Sequence, residues 1–136
     1  MEDRPEALKL KVLIADDDDA LRRLVVTTLM DDDRTLLEAR DGEEALSVAR
    51  RERPDLILLD IAMPGLSGLA VCRRLRREAG TRAIPVIMLT GHGRAADRER
   101  GLSAGADAYL TKPFSPLELL QLSEQFLLAG NRFCPA

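Results

Sequence analysis

The sequence predicts an α/β protein built on a doubly wound, five-stranded parallel sheet, and three observations predict it. Short apolar runs of strand length alternate strictly with longer segments whose apolar residues recur every three or four positions, and there are five of each. That alternation implies parallel pairing, right-handed crossovers and helices on both faces of the sheet. The clearest runs, VLIA and LILL, are apolar throughout, as strands covered on both sides should be. They end abruptly in acids, Asp16 with Asp17 and Asp60. In a parallel sheet such ends share the carboxyl edge, where open α/β sheets bind ligands.

The elements follow in order. After a polar lead-in over residues 1–10, Lys11 to Ala15 is the first strand. Asp18 and Asp19 suit the cap and first turn of a helix over Ala20 to Met30, whose stripe of Leu21, Leu24, Val25, Thr28 and Leu29 faces a sheet. Asp31 to Asp33 end it, Thr35 to Ala39 is the second strand, and Asp41-Gly42 turns into a helix over Glu43 to Arg51 that Pro54 closes off. Asp55 to Leu59 is the third strand, with Asp60 at its carboxyl end. A loop through Met63-Pro64-Gly65 and Gly68 leads to a helix over Leu69 to Ala79 with an arginine-rich outer face. Pro85 to Leu89 is the fourth strand and ends in Thr90-Gly91. A helix over Ala95 to Ala104 is broken by Gly105, and Ala108 to Leu110 is the short fifth strand. Lys112-Pro113-Phe114 then precedes a last helix over Pro116 to Ala129, with Pro116 in its opening turn and Gly130 at its stop. On a wheel of that helix Leu119, Leu120, Leu122, Phe126 and Leu127 share one face, while Leu117 and Leu128 fall opposite.

At 136 residues and 15.0 kDa the chain is one domain of ordinary size, over residues 11–129, with residues 130–136 a tail or the start of a linker. The apolar runs are far shorter than the ~20 residues a membrane-spanning helix needs. The start MEDRPEALK lacks the layout of a secretory signal, so a cytoplasmic location is expected. A net charge of −3 and a pI near 5.2 give no electrostatic basis for coating nucleic acid. Nearly all the bases are arginine, which reads as genome base composition rather than function. Cys72 and Cys134 sit in no metal-ligand spacing, and Cys72, among apolar neighbours, reads as a core filler. His92, the lone histidine, reads as an exposed loop residue.

Asp18 and Asp19 are accounted for as helix-start acids, whereas Asp16 and Asp17 come straight off the strand and need a partner. Adjacent carboxylates repel unless a cation screens them, and hard oxygens on a turn suit Mg²⁺. On the pair alone, a metal site and a polar loop stand level. The parallel sheet adds the decisive convergence, because Asp16, Asp17, Asp60, Thr90 and Lys112 all fall at one edge. Three acids, a hydroxyl and an ammonium there describe a site for a metal plus an anion, with Lys112 and Mg²⁺ suited to neutralising phosphoryl oxygens, and an aspartate can itself accept a phosphoryl group as nucleophile.

The pieces VLIADDD, LILLDIAMPGLSG, PVIMLTG and GADAYLTKPF, in that order, resemble the receiver domain of two-component response regulators, over nearly the whole chain. The resemblance implies a flavodoxin-like (βα)5 fold with strand order 2-1-3-4-5. By the same resemblance Asp60 is the phosphoacceptor, Asp17 a direct Mg²⁺ ligand, Asp16 an acid holding the metal largely through water, and the Ala62 backbone carbonyl a further ligand. Lys112 pairs with the phosphoryl group, its bond to Pro113 is cis, and Thr90 and Tyr109 form the switch pair. The implied phosphodonor is a sensor histidine kinase or histidine phosphotransfer protein. The implied output is an effector or dimer contact through the face of helix 4, strand 5 and helix 5, without direct nucleic acid or membrane. Such a receiver is no enzyme beyond catalysing its own phosphorylation and dephosphorylation, and it stands alone or belongs to a larger regulator or hybrid kinase.

A rival reading is a Mg²⁺-dependent phosphohydrolase with an aspartyl-phosphate intermediate. Hydrolases of the haloacid-dehalogenase type carry an acid/base aspartate two residues after the nucleophile, and here that residue is Ala62. A flavin carrier fits the fold but not the acidic edge, since a flavin phosphate wants a hydroxyl-rich loop.

Overall fold

The computed structural model describes residues 9–91 and 95–132, with side chains for all of these except 95–98 and 129–132. His92, Gly93 and Cys134 lie outside the described residues. Five strands, β1 (Leu10–Ala15), β2 (Arg34–Ala39), β3 (Leu56–Asp60), β4 (Val86–Thr90) and β5 (Ala108–Thr111), form one parallel sheet in the order β2-β1-β3-β4-β5. Between and after them run α1 (Asp19–Leu29), α2 (Gly42–Glu52), α3 (Gly68–Arg77), α4 (Ala95–Ser103) and α5 (Pro116–Arg132). The fold class and strand order are those expected from the sequence. Among the described residues no helix is long and apolar enough to cross a membrane.

The sheet is dry on both faces, which is why its central strands carry no polar alternation. Val12, Ile14, Leu58 and Leu89 pack under α1 and α5. Leu13, Leu59, Val71, Cys72 and Met88 pack on the side of α2 and α3. Each such side chain contributes roughly 1.5–3 kcal/mol by leaving water. Cys72 is fully buried, and burial pushes its thiol pKa up, in keeping with a space-filling role.

Most helix starts are set by side chains that satisfy the first backbone N–H groups. Asp18 accepts from Ala20 and Leu21, Asp41 from Glu44, and Ser67 from Ala70. At α5, Ser115 Oγ accepts from the Glu118 N–H while Glu118 Oε1 accepts from the Ser115 N–H, a reciprocal capping box that the sequence reading overlooked.

Four expectations need correction. The face that α1 buries is turned from the one assigned to it: Val25 and Leu29 are buried, but Leu24 is 47% exposed and Arg22 is buried in its place. Arg22 can go inside because its guanidinium finds three acceptors there. Thr28, placed on the stripe, spends its hydroxyl on the Leu24 carbonyl at 2.8 Å. The α5 helix does not stop at Ala129; it passes through Gly130 to Arg132. A single glycine costs only about 1 kcal/mol in a helix interior, too little to end this one. Finally, β3 and β4 extend one residue further than expected, taking in Asp60 and Thr90, because Ile61 N–H still donates to Leu89 O (3.0 Å) and Lys112 N–H to Thr90 O (2.7 Å).

Gly105, with φ +106°, follows α4 as the expected break. On α5, Leu119 and Leu127 are buried while Leu117 and Leu128 face solvent, as the wheel requires.

Candidate functional site

The carboxyl edge brings Asp16, Asp17 and Asp60 together, with one carboxylate oxygen from each lying within 4.8 Å of the others. Asp16 and Asp60 are buried and Asp17 is exposed. Lys112, arriving from β5, spans the two buried acids, with Nζ 3.0 Å from Asp16 Oδ2 and 3.2 Å from Asp60 Oδ2. The lysine therefore answers part of the question the sequence raised, namely what partner Asp16 has.

Asp16 is fixed from four directions. Its Oδ1 accepts from the Asp18 N–H at 2.9 Å and its own N–H donates to Ala39 O at 3.1 Å. Its carbonyl accepts from Arg22 Nη1 at 2.8 Å. Arg22 also donates through Nε to Glu38 Oε1 (2.9 Å) and through Nη2 to Asp19 Oδ1 (2.5 Å), so α1, β2 and the turn after β1 are tied through one side chain. Burial opposes the charge on Arg22, but these hydrogen bonds outweigh it and raise its pKa. Sequence reasoning missed this brace; the signal was an arginine three residues after a first-turn acid, the spacing of a helical ion pair.

Asp60 is held differently. Its Oδ1 accepts from the Ala62 N–H at 3.3 Å. The backbone around it is gripped by two glycines. A Cβ on Gly68, the first residue of α3, would lie 2.1 Å from the Asp60 carbonyl oxygen, and one on Gly42, the first residue of α2, 2.2 Å from the Leu66 carbonyl oxygen. Both helices therefore press backbone to backbone on the loop that follows β3, and Gly68 N–H donates to Ile61 O at 2.9 Å. Within that loop Ala62 is exposed.

Burial, and then the charge of Asp16, push the Asp60 pKa up to about 6, and Lys112 and the Ala62 N–H only partly counter them. Burial also opposes the charge of Lys112, but Asp16 and Asp60 prevail and its pKa is raised. The edge is thus an acidic, oxygen-rich cluster in which, among the described residues, Lys112 is the cation that bridges the acids. Its donor set suits a hard divalent cation.

Thr90 is buried at the end of β4, one residue past the Asp60–Leu89 pair. Tyr109 pairs with Met88 across β4 and β5, and alternation places Thr90 on the same sheet face as Met88 and hence as Tyr109. Tyr109 is half-buried against the core on that face. The Lys112–Pro113 peptide bond is cis. Beside Lys112, a cleft of about 420 Å³ is lined by Leu21, Leu24, Gly91, Pro113 and Phe114 as well.

Residues 12–124 match the family described as the response regulator receiver domain. The chain is 47% identical over 114 residues to a probable transcriptional regulator, ycf27, of Cyanophora paradoxa, a match covering 84% of this chain and 46% of that protein. The chain spans less than half the length of the curated relatives it matches. Among solved structures, a putative response regulator from Chloroflexus aurantiacus superposes with a TM-score of 0.83 at 34% identity, covering 88% of this chain and 98% of that one. The receiver domain of a sensor histidine kinase from Pseudomonas aeruginosa, solved with a magnesium ion coordinated in its active site cleft, gives 0.81 at 30% identity, again covering 88% and 98%. With sheet order, acidic edge and bridging lysine all in place, the chain belongs to the response regulator receiver domain family.

Proposed function

We propose that Asp60 accepts a phosphoryl group from a phosphohistidine and that the acyl phosphate switches partner binding. The observation carrying this reading is the placement of Lys112 Nζ between Asp16 and Asp60, beside a third carboxylate, at the one sheet edge. An ionised Asp60 oxygen attacks phosphorus, the P–N bond breaks, and the histidine leaves. Lys112 then exchanges a carboxylate partner for a phosphoryl oxygen. Asp16, Asp17, Asp60 and the Ala62 carbonyl would hold Mg²⁺, which when bound neutralises phosphoryl oxygens and offsets repulsion among the acids. Ala62 offers no acid or base, so the chain turns over only its own acyl phosphate and is no general phosphohydrolase.

Switching follows from Thr90 and Tyr109 sharing a sheet face. Aspartyl phosphate adds roughly two negative charges and strong acceptors to this edge. Drawing the Thr90 hydroxyl toward them frees space beside β5 for the Tyr109 ring, a local bond read out at the surface. Leu102, Leu117 and Leu128 are exposed on α4 and α5, which favours the α4-β5-α5 face for an effector or a second copy. The apolar cleft of Leu21, Leu24, Pro113 and Phe114 beside Lys112 suits a helix of the phosphodonor, a histidine kinase or phosphotransfer protein. The working location is the cytoplasm. In a longer protein of the ycf27 kind, the phosphoryl signal would govern transcription through a separate part of the chain.

The test is labelling with a small acyl or amido phosphate and Mg²⁺, read by intact mass. Wild type should gain one phosphoryl group and Asp60→Asn none; equal labelling of the two overturns the assignment.

A further inference from the structure

The whole-chain charge of −3 hides an uneven distribution. Between residues 49 and 84 eight arginines stand against four acids. Three of the eight are already engaged. Arg50 forms a salt bridge with Glu78 at 2.6 Å, and Arg51 one with Glu52 at 3.1 Å. Arg76 braces the turns into β4 and β5, donating to Gly105 O (2.8 Å), Ile84 O (2.6 Å) and Asp107 Oδ2 (2.8 Å).

The other five, Arg53, Arg73, Arg74, Arg77 and Arg82, are exposed, and among the described residues no ion pair holds any of them. Arg73, Arg77 and Arg74 fall within about 100° of arc on the outer face of α3. Arg53 closes α2 and its guanidinium lies over Gly80, just beyond α3; Arg82 follows in the turn to β4. In a βαβ crossover these helix ends sit at the amino edge of the sheet, opposite the carboxylate cluster.

Arg53 occupies this edge at a cost. It holds a left-handed backbone, φ 45°, ψ 65°, where glycine or asparagine is the usual helix stop. An outlier of this kind, held in place by its surroundings, is a pointer to function.

We propose that the outer face of α3, with Arg53 and Arg82 at its base, docks the phosphodiester backbone of nucleic acid without reading sequence. Arginine forks match phosphate oxygens two at a time. A protein partner would want buried apolar anchors, and a membrane surface an apolar face to insert. Neither is present: the exposed large apolar residues among those described are Leu24, Met30, Leu102, Leu117 and Leu128, none of them on α2 or α3. Backbone contact alone is what remains. This places function in the arginines that composition alone assigned to genome bias.

The test is fluorescence anisotropy of a labelled mixed-sequence duplex titrated with the full chain between 20 and 200 mM NaCl. The plot of log K against log salt should have a slope of about −3 to −4.5, near −0.9 per phosphate neutralised. Arg73→Ala/Arg74→Ala/Arg77→Ala should lower that steepness by about 2.7, and Arg53→Gly, which relieves the backbone, by about 0.9. No binding by wild type at 20 mM NaCl, an unchanged slope in both variants, or tighter competition by poly-glutamate than by unlabelled duplex each overturns the proposal.

Discussion

Replacing Asp60 by asparagine should make the metal-free protein more stable at neutral pH, although it removes the proposed phosphoacceptor. The carboxyl group titrates near 6 in the folded protein, against an ordinary 3.8, because it is buried and faces Asp16. Two units at 1.36 kcal/mol each correspond to ~3 kcal/mol of destabilisation once the group is ionised. Asp17 in the same cluster is exposed, so water reaches this edge and softens both the burial of Asp60 and its repulsion from Asp16. Roughly half, ~1.5 kcal/mol, is the expected gain.

The sign follows from proton binding. Between pH 3.8 and about 6 the folded state binds more protons at Asp60 than the unfolded chain does, so this contribution to stability falls as pH rises through that window. Below it both states are protonated and the penalty vanishes. Urea denaturation followed by circular dichroism, with EDTA present, should show the variant's midpoint ~1 M above wild type at pH 7.5 and close to it at pH 4. Millimolar Mg²⁺ should narrow the gap at pH 7.5 by stabilising the wild-type acids. Equal midpoints at pH 7.5, or the same gap at both pH values, would refute the account of Asp60 as a buried carboxylate strained by Asp16.

Three further outcomes are expected. Thr90→Ala should still be labelled on Asp60 but lose most of the NMR shift around Tyr109 on adding beryllofluoride; a full wild-type shift removes Thr90 from the coupling. Gly68→Ala forces a methyl group into the Asp60 carbonyl and should lose about 2–3 kcal/mol in urea denaturation and slow labelling, so wild-type values for both would mean the α3 start yields freely. Ser123 Oγ is buried with no hydrogen-bond partner among the described residues, so Ser123→Ala should gain up to ~1 kcal/mol, a rise of a few degrees in Tm; a lower Tm would show that the hydroxyl is satisfied.

The strands and the acids at their ends were legible in the sequence because a strand buried on both faces leaves an unbroken apolar run, and Asp16 and Asp60 interrupt that run abruptly. The turn of α1 about its axis was not legible. Leu24 and Arg22 compete for the inside, and hydropathy favours Leu24; what decides for Arg22 is Glu38 on another strand and a carbonyl at Asp16, partners that only the fold supplies. The two glycines were marked as turn residues for a similar reason, since the loop backbone they press against is distant in sequence or hidden from hydropathy. Gly130 misled in the opposite direction, its intrinsic cost being small beside whatever continues the helix.

The grip of Gly42 and Gly68 has a consequence for signal duration. Backbone contacts brace the loop after β3 at Asp60, Ile61 and Leu66, and the Ala62 N–H donates to Asp60 Oδ1, none of which involves the side chain of residue 62. That side chain is exposed beside the acyl phosphate that Asp60 would form. Under the proposed function, a substitution at residue 62 would change how water reaches that acyl phosphate while leaving the acceptor itself in place.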